Sequence, residues 1–314
     1  MPVRSKWQSL PTEAINSATL GIDKLSPADI VEGMLNEDRK MLAAVQREKD
    51  RIAVGVEIVT QALRRGGRIV FVGAGTSGRL GVLESAEMPI TFGTDPEMVL
   101  AIMAGGRNAL LRAKEGVEDN YEEGARAVNR LSPTRRDVVI GVSASGMTPF
   151  VRGALTRARR AGSKIIFVTC DPRTELQTFV DLTIAPAVGP EVIAGSTRLK
   201  AGTATKLVLN MLTTAAMVRI GKTYGNLMVD VQTGSEKLRD RARRIIAIVT
   251  GLEYDEADKL LKRAHWNVKE AIVMHKTGLT YSRASAKLRR AHDSMREAIG
   301  EDIEPRLKEL LASG

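Results

Sequence analysis

Cysteine is scarce in this chain, and histidine is missing from most of it. One cysteine, Cys170, in 314 residues excludes a disulfide framework and every multi-cysteine zinc site. His265, His275 and His292 all lie in the last sixth, so the first 264 residues contain no imidazole. Histidine-based catalysis or metal binding is therefore excluded from the main body. Aromatic residues make up 4%, too few for a platform that stacks single-stranded bases. No apolar run approaches the roughly eighteen residues of a membrane span, and the N-terminus lacks the apolar core of a signal peptide. A soluble, cytoplasmic protein without a membrane partner is expected. The basic excess is 47 Lys and Arg against 37 Asp and Glu, or +10. From Ser235 onward the balance is 17 to 13, or +4, which leaves +6 for the rest. A charge spread that evenly reads as a basic surface, not as a nucleic-acid-binding arm.

At 34.0 kDa the length suits one α/β body with a smaller appendage. Ser26 to Arg64 reads as helical. Ser26-Pro27-Ala28-Asp29 supplies an N-cap with Pro at the first position, and apolar residues follow at three- and four-residue spacing. Beyond Gly66-Gly67, short Val- and Ile-rich runs alternate with helical stretches. The runs are Arg68–Gly73, Met98–Ala104, Asp137–Val142, Lys164–Thr169 and Leu182–Pro186. Their continuous apolarity predicts strands buried on both faces, hence a doubly wound, parallel five-stranded sheet. A long helix is expected over Ser196–Ile220. Only helical patterns follow Ser235: Glu236–Thr250, Asp255–Ala264, Val268–Lys276 and Ser282–Gly300. The expected divisions are a helical segment over 1–60, a sheet domain over 61–232 and a helical region over 233–314.

The first strand runs into Gly73-Ala74-Gly75-Thr76-Ser77-Gly78. This satisfies the dinucleotide fingerprint, but the second strand ends in Ala104-Gly105-Gly106-Arg107, without the acidic residue a ribose needs. The better reading uses the hydroxyls: Thr76, Ser77 and Gly78 open a helix whose N-terminus attracts an anion. A plain strand-to-helix turn is the competing explanation. The third strand ends in a second hydroxyl cluster, with Ser143, Ser145, Gly146 and Thr148 ahead of another helix. Without a lysine in the loop this is not a triphosphate site. Two such loops suit one small phosphorylated molecule at a topological switch point.

These two loops together resemble the sugar-isomerase (SIS) domain, a flavodoxin-like fold whose loops hold a sugar phosphate. Further segments resemble the N-acetylmuramic acid 6-phosphate etherases more narrowly. They include Thr12-Glu13, Asn36-Glu37-Asp38, Glu84-Ser85-Ala86-Glu87, Glu115-Gly116-Val117-Glu118-Asp119, Gly195 through Ala204 and Gly225 through Asp230. The resemblance spans roughly residues 12–275, with Met147 where Arg is expected, Met88 where Cys is expected, and an unusually basic stretch after Gly278. It implies a lyase that releases D-lactate from N-acetylmuramic acid 6-phosphate, without cofactor or metal. The implied catalytic carboxylates are Glu87, acid for the lactyl oxygen and later activator of water, and Glu118, its partner. It also implies a homodimer, and a small ubiquitin-associated-like module over Thr250–Lys276. Ser196, Arg198 and Lys200 lie at the expected start of the long helix. Two cations there oppose the helix dipole, which a docked phosphate explains; snorkelling to solvent is the bland alternative. Nine residues separate Glu87 from Gly78, so a regular helix carries it about 14 Å from the phosphate loop. Either the chain bends back near Pro89 or another subunit completes the site. A non-catalytic sugar-phosphate sensor of the glucokinase-regulatory-protein type and an aldose–ketose isomerase are the rival readings.

Overall fold

A computed structural model describes residue 7 and residues 10–312; the remainder of the segment expected to begin at residue 1 lies outside them. By its contacts the chain forms two compact units. One holds the described residues up to Ser85 with Glu97–Thr214, the other Ala86–Pro96 with the described residues from Ala215 onward. The helices before residue 60 thus belong with the sheet, and a short piece of the expected sheet domain belongs with the C-terminal helices.

In the first unit, α1 (Pro27–Arg47) begins where the Ser26 hydroxyl accepts from the Asp29 amide. α2 (Lys49–Arg64) follows after the single non-helical residue Glu48. The sheet comprises β1 (Ile69–Gly73), β2 (Val99–Met103), β3 (Val138–Val142), β4 (Lys164–Val168) and β5 (Leu182–Ile184), all parallel in the order β2-β1-β3-β4-β5. Its strands fall within a residue or two of the apolar runs in the sequence. β1 and β3 are buried throughout, because helices cover both faces. Between the strands lie α3 (Gly75–Phe92), α4 (Asn108–Leu111), α5 (Tyr121–Arg130) and α6 (Pro149–Arg160), and α7 (Lys200–Arg219) follows β5. On one face Val70, Val139, Ile165 and Phe167 pack against Phe150, Leu155 and Ala127 of α5 and α6. On the other, α2 lies against Leu212 of α7 and Ile184 of β5 around Gly55. A parallel sheet can leave neither face wet.

The second unit is helical: α8 (Glu236–Thr250), α9 (Tyr254–Arg263), α10 (Val268–Thr277), α11 (Tyr281–Arg290), α12 (Met295–Ile299) and α13 (Glu304–Ala312). Its core joins Ile246, Leu261 and Ile272 to Leu288, Met295 and Ile303, so the expected three-helix module is part of a larger cluster. The expected helix over Ser282–Gly300 breaks at residues 291–294, where His292 and Asp293 adopt positive φ. Trp266 packs against the core with Arg239 and Arg243 over its ring at 5.1 and 5.6 Å, an arrangement that favours a cation beside an aromatic face. Among the described residues no helix is long and apolar enough to cross a membrane.

Candidate active site

Because β2 lies on one side of β1 and β3 on the other, the loops leaving β1 and β3 part and open a crevice at the carboxyl edge of the sheet. Gly73 and Val142, which end these strands, are register partners. The crevice is a cavity of about 380 Å³.

One wall is the first turn of α3, with Thr76 and Ser77. Neither hydroxyl bonds to a described residue, so both can meet a ligand. The facing wall carries Ser143, Ser145 and Thr148. There the Ser143 and Thr148 hydroxyls share a hydrogen bond of 2.7 Å, and the Met147 amide donates to Ser145 Oγ at 3.4 Å. Thr148 is the N-cap of α6 but its hydroxyl makes no cap bond. The N-termini of α3 and α6 therefore border the cavity with their positive ends and several hydroxyls, an arrangement made for an anion.

A third wall is the loop after β2. Glu118 sits on a single 3-10 turn, Val117–Asp119, that follows Gly116. Its side chain lines the cavity half-buried and has no hydrogen bond or ion pair among the described residues. Lys114 and Glu115 line the same wall. Arg79 steadies it by donating to the carbonyls of Ala109 at 2.8 Å and Leu110 at 3.0 Å. Thr197, Gly202 and Thr205 close the cavity near the start of α7, and Glu13 reaches it from the N-terminal segment.

Six of the twelve residues expected at the site line this cavity: Thr76, Ser77, Glu118, Ser143, Ser145 and Thr148. The other six do not. The Gly78 amide donates to the Ala74 carbonyl at 3.2 Å. A Cβ there would fall 2.8 Å from the Gly73 carbonyl oxygen, so this glycine serves the approach of helix to strand. Gly146 is buried beneath its loop, its carbonyl accepting from Thr174 at 3.0 Å. The expected helix start at Ser196 is corrected: α7 begins at Lys200, leaving Ser196 and exposed Arg198 in the preceding turn.

Lys200 is also corrected. Its side chain is 1% exposed and its Nζ lies 2.6 Å from Glu37 Oε2, which removes it from any phosphate. The amides of Lys200 and Ala201 donate to the buried Glu191 at 3.0 and 2.9 Å, so this helix N-terminus holds a carboxylate of the protein itself. Burial pushes the Glu191 carboxyl up, against the pull of those two amides. Burial also opposes charge on Glu37, yet hydrogen bonds from Lys200, Lys40 and Asn16 prevail and hold its carboxyl at about 2.

Glu87 is exposed and is not among the residues lining the cavity. α3 runs unbroken through Pro89 to Phe92, so the chain does not bend back there. The neighbouring Glu84 is buried and bonded to Asn210 and Thr213, a core carboxylate of the first unit. The Met147 side chain is exposed and outside the cavity as well. The motifs alone do not mark Glu13, Arg79, Thr197 and Thr205 as site residues, although Glu13 and Thr197 lie in segments that carry the resemblance.

Residues 51–159 match the family model described as the glucokinase regulatory protein N-terminal SIS domain. An N-acetylmuramic acid 6-phosphate etherase of Salinibacter ruber is 53% identical over 85% of this chain and 86% of its own length. One of Rhodopirellula baltica is 48% identical over 86% of this chain and 90% of its own. A phosphoheptose isomerase structure from Francisella tularensis aligns at a TM-score of 0.47 and 16% identity, over 61% of this chain and 98% of that one.

Proposed function

The chain belongs to the N-acetylmuramic acid 6-phosphate etherases, and from that membership we propose how its cavity performs the reaction. The enzyme is a carbon–oxygen lyase that converts N-acetylmuramic acid 6-phosphate to N-acetylglucosamine 6-phosphate and D-lactate, in the recycling of cell-wall amino sugars. An ether resists direct hydrolysis near neutral pH because an alkoxide leaves badly. Opening the sugar ring changes this: the aldehyde at carbon 1 acidifies the proton on carbon 2, and the lactyl oxygen on carbon 3 becomes a leaving group for elimination. A base removes the carbon 2 proton, an acid protonates the departing oxygen, and water then adds at carbon 3.

The observation that carries this assignment is the half-buried, unpartnered Glu118 in a cavity whose other walls are two hydroxyl loops at helix N-termini. Thr76, Ser77, Ser143, Ser145 and Thr148 hold the 6-phosphate, and Glu118 shares with a second carboxylate the proton transfers at carbons 2 and 3. Carboxylates perform such steps when their environments separate their roles, and no histidine stands before His265. Glu87 is the second carboxylate. Ten residues of unbroken helix separate it from Ser77, about 15 Å along the axis, so a partner subunit supplies it to this cavity. The enzyme is then a symmetric homodimer, working in the cytoplasm.

A regulator that only senses sugar phosphates would keep the loops. The regulatory-protein model reaches no further than residue 159, whereas the etherase relatives extend over 85% of the chain. Incubating the purified protein with N-acetylmuramic acid 6-phosphate and measuring D-lactate tests the reading. Steady release, lost by about 10²–10⁴-fold in Glu118→Gln with substrate still bound, is expected. Binding without lactate in the wild type would favour the regulator.

A further inference from the structure

We infer that Glu13 opens the sugar ring for the elimination, an inference that rests on the etherase reading of the cavity. Elimination requires the open-chain aldehyde, whereas a hexosamine phosphate with a free carbon 5 hydroxyl is mostly a closed ring in water. Opening needs a group that moves a proton from the anomeric hydroxyl to the ring oxygen. Glu118 and Glu87 already serve carbons 2 and 3, and the chain offers no imidazole before His265.

Glu13 lines the same cavity as Glu118 and the two hydroxyl loops. The segment that carries it is fastened in place. The carbonyl of the buried Thr12 accepts from the Gly195 amide at 3.2 Å. The Asn16 side chain donates to the Pro190 carbonyl at 3.4 Å and the Thr19 hydroxyl to that of Val192 at 2.9 Å. These bonds seat residues 12–19 on the loop before α7. Gly195, at φ +78°, leaves the space the carboxylate uses: a Cβ there would stand 3.1 Å from Glu13 Oε2. The carboxylate itself has no hydrogen bond or ion pair among the described residues. A firmly held backbone with a free carboxylate in the reaction cavity suits proton transfer. Glu115 shares its loop with Glu118, whereas Glu13 enters from a separate segment beside Gly195.

In the step, one oxygen of the Glu13 carboxylate takes the proton of the anomeric hydroxyl. The O–H electron pair becomes the second bond of the aldehyde. The bond from carbon 1 to the ring oxygen breaks with its pair left on that oxygen, which receives the proton from Glu13. Nothing is oxidised or reduced, and the carboxylate is regenerated.

The test compares wild type and Glu13→Gln on substrate carrying hydrogen or deuterium at carbon 2. The variant loses no hydrogen bond among the described residues, so folding should be intact. Turnover should fall about 10²-fold with KM little changed. The carbon 2 isotope effect should shrink towards unity, because ring opening becomes limiting. An analogue with a methoxy group on carbon 5, which cannot close the six-membered ring, should be processed alike by both proteins. Gly195→Ala, which crowds the carboxylate, should give a weaker form of the same split. Wild-type turnover in Glu13→Gln would overturn the assignment. So would equal losses on both substrates with the isotope effect unchanged, or the same split in Glu115→Gln instead. Absence of D-lactate from the wild type would contradict the etherase reading itself, a separate result.

Discussion

A buried ammonium group is tolerable only while its counter-charge stays in place, and Lys200 depends on Glu37 in this way. Removing one partner of a buried pair typically costs about 3–5 kcal/mol, so Lys200→Met should lower the unfolding free energy by about that amount in a urea titration. Phosphate affinity of the remaining folded protein should be unchanged; a large loss of affinity would return Lys200 to the site. The Glu37 carboxyl is held at about 2 against an ordinary 4.5. Its folded value is depressed, so its contribution is present above pH 4.5 and is lost as the pH falls towards 2. Melting temperatures should drop through that window, and less so in Glu37→Gln. Ser145 is the contrasting case. Its hydroxyl faces the cavity, and hydrogen bonds to an anion contribute about 1.5–3 kcal/mol, so Ser145→Ala should raise KM roughly 10- to 100-fold; unchanged KM would misplace the cradle. The two differ in how they could be read. Ser145 stands in a hydroxyl cluster directly after an apolar strand, a local signal. The partner of Lys200 lies 163 positions away, so no local pattern could distinguish burial from phosphate binding.

The β1–α3 unit shows what the pattern of an element reveals and what it leaves out. All five strands could be found because burial on both faces demands unbroken apolar runs. The same logic gave the sheet type, and the crevice followed from strand order. In the glycine-rich turn the hydroxyls favour a ligand reading over a plain strand-to-helix turn, yet the last glycine serves close packing of helix on strand. At Gly78 an added methyl would meet the Gly73 carbonyl oxygen at 2.8 Å and Met103 Cγ at 2.7 Å. Overpacking of this kind costs about 1–3 kcal/mol, so Gly78→Ala should lower the melting temperature by several degrees. A variant as stable as wild type, with phosphate affinity alone reduced, would make Gly78 a ligand contact after all. The start of α7 escaped notice for a different reason. Its cap is the carboxylate of Glu191, nine residues before Lys200, and no capping motif has that spacing.

For the whole molecule, the chain's division into an α/β and a helical part was visible in the switch from alternating runs to helical periodicity. The transfer of Ala86–Pro96 to the helical unit was not, because a continuous helix carries no mark where its contacts change. The proposed sharing of Glu87 has a consequence only an assembly can display. If each cavity takes Glu118 from one chain and Glu87 from the other, Glu87→Gln and Glu118→Gln are each nearly inactive alone. Dissociated and reassociated at equal amounts, they should recover about a quarter of wild-type activity, since half the dimers are mixed and each has one intact site. No recovery, or a fully active monomer, would contradict the shared site. The elimination itself is tested most directly by running the wild-type reaction in water labelled with deuterium and heavy oxygen. N-acetylglucosamine 6-phosphate should carry deuterium at carbon 2 and solvent oxygen at carbon 3, with no solvent oxygen in D-lactate. Solvent oxygen in the lactate, with carbon 2 unlabelled, would mean direct attack on the lactyl carbon and would contradict the account.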